Sequence, residues 1–413
     1  MAIPLNQLRY LAPHANTDDN STHEYLNMQI VNEYSANNNQ PQPLIFNQTK
    51  TSNVVDVAGD YYLSVVRWNI QTNLPVIIPE MELAGAPGLV YNGRTVYKVQ
   101  LLFTTNSGGT YNAPINFSTD VIFVPELKSQ TLVSTLTQPT SIEQTYNNPF
   151  FYIKYVDSFL LMINTAIQTQ MQQIISANPG AGWSFLPYFA FDAVAQKIVF
   201  YRPNSIPQGV PGTDATTQWF LAVNQPLYNL LSTFRFDYYA PASGNNFPQT
   251  VCDYVLNTSI LGSFKSGTSG DYDQLYQQAP SVVNWQPAQS LVFVSSSIPV
   301  EIQFSGAPFN LNQRDPSTQS TIFQQQSTIK TLTDFIIPYN TGTETAAGQQ
   351  IYYLPTAEYR LIDLLGNSPI NQLNIQVLWR DKYGAYHQFF LEAGASADIL
   401  IMLRKKNYNK GTK

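Results

Sequence analysis

Leu373-Asn-Ile-Gln-Val-Leu-Trp379 decides the fold class. Large apolar side chains take every second position, with Asn374 and Gln376 between them, which is the period of a strand with one buried face. Asp381-Lys-Tyr-Gly384 follows, and Asp opening a four-residue unit closed by Gly is type I turn chemistry. Tyr386 to Leu391 is therefore predicted as the return strand of a hairpin. Glu392-Ala-Gly-Ala-Ser396 breaks that strand, and Asp398 to Leu403 alternates again with Ile399, Ile401 and Leu403 on one face. A cationic run then closes the chain: Arg404, Lys405, Lys406, Lys410 and Lys413. The three runs predict one compact antiparallel sheet, with residues 404–413 leaving it as a basic tail.

Working outward, the same period recurs. Tyr61 to Ile70 and Thr95 to Thr104 are predicted strands, the second with Val99, Leu101 and Phe103 inward, and Asn106-Ser-Gly-Gly109 reads as a hairpin loop. Glu24 to Asn32, Leu44 to Phe46 and Val121 to Val124 are shorter candidates. Leu74-Pro-Val-Ile-Ile-Pro79 brackets an apolar segment with prolines, which restricts it to an edge or terminal strand position. Lys154 to Ala177 differs in period: Val156, Phe159, Leu160, Ile163, Ile167, Met171 and Ile174 recur at spacings of three and four, predicting an amphipathic helix that Asn178-Pro-Gly180 stops. Met162 and Met171 read as core filler. Gln225-Pro-Leu-Tyr-Asn-Leu-Leu-Ser-Thr-Phe234 predicts a short helix opening on proline.

After it, Ser290 to Val294, Val300 to Phe304 and Thr333 to Pro338 return to strands, separated by long polar loops at 310–327 and 340–350. The fold class read from these patterns is all-β, an antiparallel β-sandwich with one inserted amphipathic helix and long loops. The predicted organisation is N-terminal strands and arm at 1–125, a helix-containing middle at 126–285, C-terminal strands completing the sandwich at 286–403, and the tail at 404–413.

Composition narrows the function classes. Charged residues are 12% of the 413, against roughly 25% in ordinary soluble proteins. Polarity comes instead from amides and hydroxyls, which suits a surface that packs against copies of itself, although carbohydrate-binding β proteins share it. The last ten residues hold five basic and no acidic groups, leaving 16 basic and 27 acidic elsewhere. Any phosphate-binding footprint is thus confined to Arg404, Lys405, Lys406, Lys410 and Lys413. Two readings of that cluster stay open, contact with nucleic acid or a partner, and a solvated tail.

Cys252 is the only cysteine, so intrachain disulfides are excluded and a buried thiol is expected. Met1-Ala-Ile-Pro-Leu-Asn-Gln lacks the pattern of a signal peptide, and no run reaches the roughly 18 apolar residues of a membrane span. Synthesis in the cytosol or nucleus of a cell is expected.

No catalytic constellation assembles. The three histidines, His14, His23 and His387, form no metal-ligand spacing, and one cysteine excludes the cysteine-based zinc patterns. Glu80 and Glu82 would share a face if a strand continued through them, but neighbouring carboxylates at a strand end are usually solvated. Asp271 and Asp273 lack the rest of a calcium loop. No enzyme activity, cofactor, metal or catalytic residue is predicted.

Asp60-Tyr-Tyr-Leu-Ser-Val-Val-Arg-Trp-Asn-Ile70, Asn224-Gln-Pro-Leu-Tyr-Asn-Leu-Leu-Ser-Thr-Phe234, Leu373 to Gly384 and the ending Leu403-Arg-Lys-Lys406 resemble the penton-type minor capsid proteins of small eukaryotic double-stranded DNA viruses, the polinton-like viruses and virophages. The resemblance implies a jelly roll, a place in an icosahedral virion, a homo-oligomer that is a pentamer at the vertices, and contact with other capsid proteins. It also allows the tail to meet packaged nucleic acid. A double jelly-roll major capsid protein and a β-sandwich receptor- or carbohydrate-binding virion protein remain alternatives.

Overall fold

Alternating sequence makes strands with one dry face, and each such face needs a partner sheet. The computed structural model describes residues 23–34, 41–71, 74–80, 94–107, 110–111, 118–124, 126, 153–177, 186–203, 217–238, 252–257, 264–266, 272–301, 303–305, 327–337, 350–353, 360–381, 384 and 386–406. Tertiary contacts divide the chain into two compact units, Met1–Thr72 with Gln289–Ile337 and Gln350–Lys413, and Asn73–Ala288 with Pro338–Gln349. The longer segment of the second unit, Asn73–Ala288, is inserted in sequence between two strands of the first.

The principal strands of the first unit are β1 (His23–Val31), β2 (Ile45–Thr49), β3 (Tyr61–Gln71), β4 (Ala288–Val294), β5 (Thr331–Ile336), β6 (Gln350–Tyr353), β7 (Gln372–Asp381) and β8 (Ser396–Lys405). Their order is β1-β8-β3-β6 in one sheet and β2-β7-β4-β5 in the other. Strands from the two chain ends interleave in both sheets, which is the jelly-roll arrangement. Leu373, Ile375, Val377 and Trp379 of β7 are buried, as their spacing predicts.

Between the sheets Trp68 of β3 meets Phe293 of β4 with ring centroids 5.7 Å apart and Phe335 of β5 at 5.4 Å. Such offset and edge-on contacts are the favoured geometry of buried aromatic pairs. One bulge explains why β3 does not alternate cleanly. Its pairing with β8 shifts between Leu400 and Ile401, so Ile401 faces Val65 while Leu400 faces Arg67. The extra residue, Val66, reverses the phase, and Leu63 and Val65 before it share the dry face with Trp68 and Ile70 after it.

The C-terminal runs do not form the single sheet expected from sequence. Tyr386–Gln388 returns along β7, and Gly384 closes the turn with its N–H 3.1 Å from the Asp381 carbonyl. β8, however, belongs to the opposite sheet, between β1 and β3. The Glu392–Ser396 break is therefore a crossing between sheets, with Gly394 at φ 86° in the region open to glycine.

The second unit holds an antiparallel sheet ordered Phe236–Tyr238, Tyr254–Leu256, Thr217–Val223 and Arg94–Ser107, with Ser118–Ile122 also on the last strand. A four-stranded sheet follows the order Phe264–Ser266, Tyr272–Tyr276, Lys197–Pro203 and Tyr188–Asp192. Helix α1 (Val156–Ala177) buries the apolar residues its spacing marks, Met162 and Met171 among them. Its Asn164 inserts into the peptide of Phe189: the amide donates to the Phe189 carbonyl at 2.7 Å, and the Asn164 oxygen accepts from the Phe189 N–H at 2.7 Å.

Helix α2 (Gln225–Leu231) starts where expected, its cap Asn224 accepting from the Leu227 N–H at 3.4 Å. Asn224 also accepts from the Lys98 N–H at 3.0 Å and donates to the Val96 carbonyl at 2.6 Å, so the cap ties the helix to the neighbouring strand. Strands 94–107 and 118–122, expected with the N-terminal strands, group with this middle unit. The proline-flanked segment after β3 makes a single bridge, Ile77 to Ile153, and no full strand.

Candidate interface at the basic end of the chain

Arg404 and Lys405 do not leave the sheet. Arg404 lies opposite His23 of β1 and Tyr62 of β3, and Lys405 lies opposite Tyr61. One residue further, the Lys406 N–H donates to the Asp60 carbonyl at 2.7 Å. Its ammonium donates to the carbonyls of Gly59 at 2.8 Å and Leu364 at 3.3 Å, pairs with Asp363 at 2.9 Å, and lies 5.0 Å from the Tyr62 ring centroid. The expectation of a tail from residue 404 is thus corrected to one that starts no earlier than 407. Lys410 and Lys413 lie outside the described residues.

The seat for Lys406 is made by two backbone segments in close approach. The Gly59 N–H donates to the Gly366 carbonyl at 2.7 Å, and a Cβ on Gly59 would stand 2.8 Å from that oxygen. Only glycine fits there. Lys406 therefore acts as a clip, its charge spent on two carbonyls and a carboxylate.

Acidic groups also surround the end of β8. Burial first, and then the nearby carboxylates of Glu24, Asp56 and Asp60, raise the Tyr61 phenol above its ordinary range. Arg404 and Lys405 make no ion pair among the described residues.

The other candidates from sequence are dispersed. Among the described residues no group of His, Cys, Asp and Glu is arranged to hold a metal ion. Asp273 is ion-paired with Arg202 across two strands, while Asp271, Glu82 and His14 lie outside the described residues. Burial pushes the Cys252 thiol up to about 12, which keeps it protonated and unreactive at neutral pH.

His387 was visible in the sequence, but its partner was not. Its Nε2 lies 2.9 Å from Asp381 Oδ2, both side chains buried, with the imidazole 4.3 Å from the Trp379 ring. That arrangement braces the β7 hairpin. No described helix is long and apolar enough to cross a membrane.

An eight-strand jelly roll carrying an inserted unit, with no assembled reaction centre among its described residues, is the geometry that comparison has to explain. The family model described as Sputnik minor capsid protein V18/19 matches residues 24–405. The chain belongs to that minor capsid protein family. The match covers both units and ends on the Lys405 side of the clip. This minor capsid protein is 34% identical over 157 residues to the "Uncharacterized protein V18" of Sputnik virophage, spanning 38% of this chain and 87% of the relative. It is 24% identical over 140 residues to "Structural protein V19" of the same virus, spanning 34% of this chain and 59% of the relative.

Among solved structures, the 3.5 Å cryo-EM structure of the Sputnik virophage aligns with a TM-score of 0.67 at 23% identity, over 93% of this chain and 98% of that chain. The selenomethionine-labelled mavirus penton protein aligns with a TM-score of 0.57 at 15% identity, over 93% of this chain and 100% of that chain. At these identities the alignments speak to fold. The minor capsid protein is thus a structural component of a virion shell, and the major capsid protein weighed from sequence is not the family it matches.

Proposed function

We propose that this minor capsid protein is a vertex subunit that closes a ring of five copies, seated among other capsid proteins, and that it performs no catalysis. The observation that carries the reading is the architecture: a jelly roll with the longer segment of the second unit inserted between β3 and β4 aligns along the whole of the mavirus penton protein. A chain with only 12% charged residues supports it, because neutral amides and hydroxyls lose less solvation than charges when buried between subunits. The test is a mass measurement on the purified chain. Five copies of 46.3 kDa give a particle of about 230 kDa; a monomer at every concentration and ionic strength overturns the reading.

For the basic end we propose that Arg404, Lys405, Lys410 and Lys413 contact phosphate on packaged nucleic acid, with Lys406 acting inside the fold. Support comes from the engaged ammonium of Lys406 and from Arg404 and Lys405, which make no ion pair among the described residues. Binding to a short DNA duplex should weaken with salt, with a log–log slope falling by about 1 for each of the four replaced by Ala. A slope unchanged in all four variants overturns the assignment.

A further inference from the structure

A ring of five has no twofold axis relating neighbours, so each subunit must present two unlike surfaces that fit one another. The jelly roll offers two such surfaces. Among its described residues the exposed large apolar side chains are eight, and all lie along its two flanks.

Where β1 and β2 are the outer strands, the exposed groups are Tyr25 at 52%, Val31, Tyr34 at 69% and Ile45. Where β5 and β6 are the outer strands, joined by the Phe335 and Tyr353 rings at 4.3 Å, they are Ile336 at 84%, Tyr352 at 66%, Leu361 and Leu365. The outward faces of the central strands instead carry polar groups, such as the Arg67–Asp398 pair and Gln376 bonded to Gln388. Apolar side chains gathered on edge strands mark association sites.

The second flank also has a socket. A shallow recess of about 520 Å³ is lined by Pro299, Val300, Glu301, Lys330 and Leu365. Apolar Pro299, Val300 and Leu365 line it together with Glu301 and Lys330, a set that suits the ring and the hydroxyl of a tyrosine. Tyr34, the most exposed aromatic of the first flank, is a knob of that kind.

We infer that the partner of the β1–β2 flank is the β5–β6 flank of a second copy of this chain, joined head to tail, with Tyr34 seated in the recess beside Leu365. The inference rests on the ring proposed above. It assigns a surface that the ring reading alone leaves open.

The experiment weighs three full-length proteins in solution: wild type, Tyr25→Glu with Tyr34→Glu, and Ile336→Glu with Tyr352→Glu. Wild type is expected to form the ring, and each double variant to remain monomeric with its half-assembly concentration raised about 100-fold, tenfold for each anchor lost. Mixing the two variants leaves one good junction, so they should pair one to one and grow no further. Serine replacements at the same positions serve if a glutamate variant loses its circular dichroism spectrum. Rings that persist in either folded variant, or a mixture that forms no heterodimer, overturn the flank assignment while the ring reading stands. A wild type that never associates overturns the ring reading, and the flank assignment with it.

Discussion

Lys406 shows how far a residue's role depends on what surrounds it. In the sequence it is one of five cations in a terminal cluster. In the fold its ammonium serves the carbonyls of Gly59 and Leu364 and the carboxylate of Asp363. Lys406→Met is expected to leave two part-buried acceptors unserved and to cost about 1.5–3 kcal/mol, the range for hydrogen bonds to charged groups. Lys405→Ala, at an exposed site, should stay within about 0.5 kcal/mol. Urea unfolding followed by tryptophan fluorescence compares them, and equal effects would remove the clip.

Lys154 gives a pH prediction at the same scale. Burial lowers its pKa from 10.5 to about 8, against the opposing pull of Glu126. Because the folded pKa is the lower one, the unfolded chain binds more protons between about 8 and 10.5, and stability rises with pH across that window. The penalty is fully present below pH 8. Lys154→Met should therefore stabilise the protein at pH 7 by about 2–3 kcal/mol, with the gain shrinking toward pH 10.5. Urea midpoints of the two proteins at both pH values test this, and a gap independent of pH would refute it.

Among elements, helix α1 was the most legible and also held the largest surprise. Its apolar spacing named the buried stripe, because a 3.6-residue period survives any tertiary context. The spacing could not reveal that Asn164 replaces a strand neighbour for Phe189, since one amide among many has no period. Asn164→Leu is expected to cost about 2–6 kcal/mol by stranding both the N–H and the carbonyl of Phe189, about 1–3 kcal/mol for each group. Thermal unfolding by calorimetry measures it, and a neutral outcome would mean water takes over both bonds. Short strands went unread for a related reason. Phe236–Tyr238 and Tyr254–Leu256 have three residues each, too few for a period of two to declare itself, and only pairing with their neighbours makes them strands.

For the whole molecule, the corrected course of β8 changes what truncation means. A chain ending at Lys406 keeps β8 and its clip and should unfold with the midpoint of the full protein. A chain ending at Leu403 loses the pairs to Tyr61 and Tyr62 and the ammonium seat, and should be destabilised by several kcal/mol. Matching midpoints for the two truncations, read by urea titration, would show that residues 404–406 add nothing to the fold. The same comparison separates the cations of the fold from any that meet a partner.

Local chemistry alone determined the element types here: the alternation of Leu373 to Trp379, the period of Val156 to Ile174, the turn residues Asp381 and Gly384, and the scarcity of charge that points to assembly. Those signals act within one or two turns of chain, so they are written where they are used. Only the tertiary structure decided that β8 crosses to the sheet opposite β7, that residues 94–122 belong to an inserted unit, and that Lys406 is part of the fold. Each of these depends on groups far apart in sequence meeting in space, as His23 meets Arg404, and no local period records such a meeting.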